Sequence, residues 1–203
     1  MQPTEAQGAS LDELGNASIQ ASEMIRASCP SQVAATAPGR LTAMQQRIEA
    51  MEKAVDLVQP ALDRFYGSLT DEQKARFNAL ADDQRRATAS SNASGSPVQT
   101  CSASAAFDWP GATLEERLRP NETQRAALQV LQDTSAKVSA SLKAACEPNE
   151  VMTPPARMAA IRKRLEVMLD GIKSVRAALD DFYATLNDEQ KAQFEAIGPR
   201  RIS

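Results

Sequence analysis

Two stretches of the chain carry the same apolar stripe. Leu41, Met44, Ile48, Met51, Val55, Val58, Leu62, Phe65 and Leu69 follow one another at steps of three and four residues. Met158, Ile161, Leu165, Met168, Ile172, Val175, Leu179, Phe182 and Leu186 repeat that spacing. A stripe with this period is the signature of an amphipathic helix packed along a narrow seam, as in a coiled coil. About 29 residues at 1.5 Å each predict a rod of roughly 43 Å in each case. A shorter helix is predicted ahead of each rod. Leu11, Leu14, Ala21 and Ile25 mark one over residues 4–28. Leu128, Leu131, Val138, Leu142 and Ala145 mark the other over 121–145, with Ser135 interrupting the stripe. Pro-containing segments at 29–39 and 146–156 end these helices, because proline cannot continue a helix but suits the start of the next. A third, short helix is predicted after each rod, starting at Asp71 or Asp188 and fraying into polar sequence.

The parallel runs deeper than hydropathy. Residues 3–80 align with 120–197 at a constant offset of 117 without a gap, and 31 of the 78 positions are identical. A duplication means that each copy should fold alike. The expected architecture is all-α, with two tandem helical-hairpin units at 1–86 and 113–203. Between them, residues 87–112 form a linker rich in Ser and Ala. Phe107 and Trp109 are the linker's large apolar groups and should dock on a helix, and 113–118 should add one further turn.

Composition changes the picture mainly by exclusion. The chain of 203 residues has a formal charge of −3, which gives no reason to expect nucleic acid. No run approaches the roughly 18 apolar residues of a membrane span. There is no histidine, so a Ser–His–Asp triad and a His-based zinc site are excluded. The eight glycines form no phosphate-binding pattern. Adjacent charged residues such as Asp180 and Asp181 do not face each other on a helix and make a poor acid–base couple. The expectation is a protein that is not an enzyme and uses no cofactor or metal.

Four helix starts share one polar pattern: Thr4 with Gln7, Thr70 with Gln73, Asn121 with Gln124, and Asn187 with Gln190. This spacing reads as a capping box. The Thr or Asn side chain accepts from the N–H three residues on, and the Gln reaches back to the capping residue's N–H. Asp71, Glu72, Asp188 and Glu189 add negative charge at the positive helix ends.

LTDEQKARF (69–77) and LNDEQKAQF (186–194), each following a long heptad helix, resemble the LTxxQ family of bacterial periplasmic proteins, the Spy- and CpxP-like group. PTEAQ (3–7) and PNETQ (120–124) stand where that family's other motif belongs, with Pro in place of its leading Leu. The resemblance covers both repeats and leaves out the linker. It implies an all-α periplasmic protein, although the chain opens MQPTEAQ without a signal segment, as expected of a processed or engineered form. Spy-like members are ATP-independent chaperones that bind unfolded envelope proteins as cradle-shaped dimers. CpxP-like members inhibit an envelope-stress sensor kinase. Metal-responsive relatives use histidines, which this chain lacks. The family's dimer suggests that the two units form a covalent pseudo-dimer, as a monomer or within a homodimer.

Candidate partner-binding residues lie on and beside the seam. Met44, Met51 and Met168 offer an adaptable surface, although their spacing favours core. Arg40 and Arg157, and Arg47 and Arg164, recur one heptad apart and suit either acidic partners or surface ion pairs. Phe65 and Phe182 continue the seam, with Tyr66 and Tyr183 beside them. Cys29 and Cys146 are repeat-equivalent, and Cys101 lies in the linker. An odd count in an exported protein calls for one bridge, read here as Cys101–Cys146, closing a loop of ~45 residues that would contribute roughly 3–4 kcal/mol. Cys29–Cys101 is the rival pairing.

Overall fold

The computed structural model describes residues 4–29, 32, 34–91, 111–145 and 153–197. They form seven helices: α1 (Glu5–Ala27), α2 (Ala37–Ser68), α3 (Asp71–Ser91), α4 (Gly111–Leu118), α5 (Glu122–Ala144), α6 (Pro154–Ala184) and α7 (Asp188–Ile197). No strand occurs among the described residues, so the fold is all-α as the periodicity predicts.

Three boundaries differ from the expectation. The long helices begin earlier than the stripe, at Ala37 and Pro154, because proline is tolerated in a first helical turn whose N–H groups lack intrahelical acceptors. Helix α3 is not short. It runs for 21 residues, since DDQRRATASS holds no proline or glycine to stop it. Residues 113–118 belong to a two-turn helix, which ends where Arg119 takes a left-handed φ of 44° ahead of Pro120. Phe107, Trp109, Cys101 and Cys146 lie outside the described residues, and with them the Cys101–Cys146 bridge. Cys29 is exposed.

The compact units cut across the repeats. One contains α1, residues 50–68 of α2, α3 and residues 154–166 of α6. The other contains residues 37–49 of α2, α4, α5, residues 167–184 of α6, and α7. Helix length explains this. The 32 residues of α2 extend about 48 Å, whereas the 23 of α1 extend about 35 Å. The part of each long helix that outruns its hairpin partner finds cover in the other repeat.

In the first unit the buried apolar residues are Ala17, Ala21, Ala50, Ala54, Ala61, Leu62 and Phe65, together with Leu165. In the second, Leu114, Leu118, Leu128, Leu131, Ala178, Leu179, Phe182 and Leu186 form one cluster. Phe182 meets the edge of Phe194 at 5.7 Å, and Phe65 meets Phe77 at 5.6 Å.

One size exchange sets the spacing of α5 and α6. Gly171 is buried against Val138, and a Cβ at Gly171 would lie 2.6 Å from Val138 Cγ1. The equivalent positions in the first repeat hold Ala54 and Ala21, both buried. Valine in a helix has little freedom at χ1 to move aside. Gly171→Ala should therefore cost about 1–2 kcal/mol by overpacking, despite alanine's better helix propensity. Adding Val138→Ala should recover part of the loss. Urea denaturation of the single and double variants checks this; a Gly171→Ala protein more stable than wild type would refute it.

Candidate functional site

The capping boxes form at all four predicted starts. In α1, Gln7 N donates to Thr4 Oγ1 at 3.2 Å and Thr4 N donates to Gln7 Oε1 at 3.1 Å. The matching pairs are 3.3 and 2.9 Å for Thr70 and Gln73, 2.9 and 3.0 Å for Asn121 and Gln124, and 2.8 and 3.1 Å for Asn187 and Gln190.

The glutamines do more than cap. Gln7 Nε2 donates to Ser68 O at 2.8 Å and to Gln73 Oε1 at 3.0 Å, while Gln73 Nε2 donates back to Gln7 Oε1 at 3.3 Å. In the second unit Gln124 Nε2 donates to Thr185 O at 2.8 Å and Gln190 Oε1 at 2.9 Å, and Gln190 Nε2 returns the bond at 3.1 Å. Each repeat thus bolts two helix N-termini and the end of its long helix together through one amide pair, one glutamine buried and the other half-buried. Gln7 and Gln124 are the two buried polar residues among those described. The local spacing reveals the caps. It does not reveal that the caps face each other across a separation of 66 residues.

The basic candidates separate. Arg40 Nη2 donates to Glu195 Oε2 at 2.8 Å, and the other oxygen of Glu195 accepts from Ala37 N at 2.6 Å. A carboxylate from α7 therefore caps the start of α2, where the helix dipole favours negative charge. Repeat-equivalent Arg157 pairs with Asp82 of α3 at 3.1 Å. There the equivalent of Ala37 is Pro154, which has no N–H to cap, and the equivalent of Glu195 is Asn78, which bonds to the Tyr66 hydroxyl at 3.1 Å. Arg40 and Arg157 are thus engaged within the chain. Glu195 and Asp82 were missed from sequence because their partners lie in the other repeat. Arg47 is exposed and Arg164 half-buried.

Burial pushes the Tyr183 hydroxyl above its ordinary pKa, and the Glu195 carboxylate adds to this by charge and hydrogen bond, against a smaller opposite effect of Arg40. The tyrosine is an acid whose neutral form is favoured by folding. Its contribution is present below about pH 10 and is lost as pH rises beyond. Glu195→Gln should bring the Tyr183 titration down, though not to its ordinary value, because burial remains. It should cost about 1 kcal/mol, since the lost ion pair is partly exposed. Ultraviolet titration of tyrosine checks the direction; an upward shift would contradict it.

The seam is not buried throughout. Ile48 and Leu165 are core, and Met51 and Met168 are half-buried. Met44 keeps 52% of its surface and its repeat-equivalent Ile161 keeps 44%. Met44 is therefore not core, although its spacing favours that reading. No cluster of His, Cys, Asp and Glu able to hold a metal occurs among the described residues. No described helix is long and apolar enough to cross a membrane.

No curated protein and no solved structure matches this chain. The LTXXQ motif family matches over residues 1–81 and 106–198, which takes in both repeats, their four capping glutamines and α4. This duplicated chain, with its paired glutamine junctions, belongs to the LTXXQ motif family.

Proposed function

We propose that the protein is a non-catalytic, ATP-independent chaperone of the bacterial periplasm, where LTXXQ proteins are generally found. It holds exposed apolar segments of unfolded envelope proteins weakly and reversibly. The observation that carries this reading is the repeated exposure of one seam position, Met44 in one unit and Ile161 in the other. A large apolar side chain placed by a heptad stripe yet left in water is available to a client. Half-buried Met51 and Met168 adjoin these positions along the same stripes, and methionine adapts to varied shapes. Exposed Arg47 lies beside the stripe in α2.

Light scattering tests the reading. The full chain, without ATP, should suppress aggregation of several unrelated reduced proteins at near-stoichiometric ratios. Met44→Asp combined with Ile161→Asp should weaken suppression several-fold without lowering Tm, because both side chains are exposed. Failure across the panel, or suppression unchanged by the double substitution, rejects it. Saturable binding to a sensor domain together with indifference to the panel would make the protein a regulator instead.

A further inference from the structure

The duplication leaves two apolar side chains exposed at one seam position, and only one of them carries an oxidisable atom. Met44 keeps 52% of its surface and its repeat-equivalent Ile161 keeps 44%. Peroxides convert a methionine thioether to its sulfoxide. The hydrocarbon side chain of isoleucine has no atom that reacts in this way.

Exposure singles out the sulfur of Met44. Five of the seven methionines lie among the described residues. Met24, Met51, Met158 and Met168 are half-buried, and Met44 alone of the five is exposed. Its surroundings tolerate a change at the sulfur. Gln45, next in the chain, donates from Nε2 to Glu49 Oε1 at 2.7 Å and accepts at Oε1 from Arg176 Nη1 at 2.8 Å. These bonds hold α2 in place without using Met44, so an oxygen added to its exposed side chain alters the surface and spares the fold.

We propose that Met44 is a peroxide-sensitive modification site that regulates client holding by the second unit. The proposal rests on the chaperone reading above. The sulfur takes one oxygen atom from hydrogen peroxide. The O–O bond breaks, an S–O bond forms, the sulfur is oxidised by two electrons, and the other oxygen leaves as water. The side chain becomes polar and chiral where a client needs an apolar anchor. Ile161 in the first unit is untouched, so peroxide lowers holding in part. A methionine sulfoxide reductase reverses the step: two thiols join as a disulfide, and the sulfoxide oxygen leaves as water.

The test treats the full chain with hydrogen peroxide and follows sulfoxide at each methionine by peptide mass spectrometry. Met44 should oxidise several-fold faster than Met24, Met51, Met158 and Met168. Light scattering then measures aggregation suppression, with each protein compared with its own untreated sample. Oxidation should lower suppression in part for the wild-type chain. It should lower it several-fold for Ile161→Asp, where Met44 is the apolar anchor left of the equivalent pair. Met44→Leu, which retains all three cysteines, should give the same curve before and after treatment. The oxidised wild-type chain should keep its Tm, and a sulfoxide reductase with dithiothreitol should restore its suppression. Met44 oxidising no faster than the half-buried methionines overturns the proposal. So does a treated Met44→Leu that loses as much as wild type, or an Ile161→Asp protein unchanged by treatment. An untreated wild-type chain inactive on every client rejects the chaperone reading and this regulation with it. An active chain indifferent to oxidation of Met44 rejects this proposal alone.

Discussion

Gln124→Ala should lower stability by about 3 kcal/mol, well above the cost of an ordinary helix cap. A cap alone contributes around 1 kcal/mol. Gln124 does more, because one buried amide serves three structures. Its oxygen accepts from Asn121 N, its nitrogen donates to Thr185 O at the end of α6, and it exchanges bonds with Gln190. Alanine removes all of these and leaves part-buried donors and acceptors without their partners, at about 1–3 kcal/mol for a badly placed one. Asn121→Ala, which removes the cap and keeps the glutamine pair, should cost only about 1 kcal/mol. A double-mutant cycle of Gln124→Ala and Gln190→Ala should show coupling of about 0.5–3 kcal/mol, as expected for contacting residues in one network. Urea denaturation measures all four proteins. If Gln124→Ala proves no worse than Asn121→Ala, the amide pair contributes nothing beyond its caps.

Phe182→Ala should cost about 4 kcal/mol, and the same change at its repeat-equivalent Phe65 about 1 kcal/mol less. Phe182 is 0% exposed and enclosed by Leu114, Leu118, Leu179 and Leu186, with Phe194 at its edge. Removing a buried ring costs its transfer free energy together with a cavity that the surroundings cannot close. Phe65 has a matching edge contact with Phe77, but Leu11 and Leu80 of its unit stand open to solvent. Residues beside solvent-exposed side chains relax into a void more readily, which lowers the cavity term. Equal losses in calorimetry would show that the exposure of Leu11 and Leu80 leaves the Phe65 site as rigid as its twin.

Much of the junction was legible in the sequence. The capping boxes were, because a capping residue and its glutamine are three positions apart and the bond between them is local. The helical content was, because a stripe at steps of three and four over four heptads suits only a helix. The extent of α3 is not legible because its polar tail carries no stripe, and low amphipathicity does not prevent a helix rich in alanine and arginine. The spacing of Met44, a candidate for partner binding, favours core, but spacing assigns a residue to a face and does not say what covers that face.

By itself, then, the sequence determined what short-range physics controls: the all-α class, the two long helices, the four capped starts and the equivalence of the halves. Only the tertiary structure decided the pairings. It joined Gln7 to Gln73 and Gln124 to Gln190, set Arg40 on Glu195 and Arg157 on Asp82, and closed Leu128 under α4 while leaving Leu11 in water. The reason lies in range. Periodicity and capping act over a few residues and repeat wherever the residues repeat, whereas burial depends on which distant element arrives. A helix longer than its hairpin partner must find that element in the other copy.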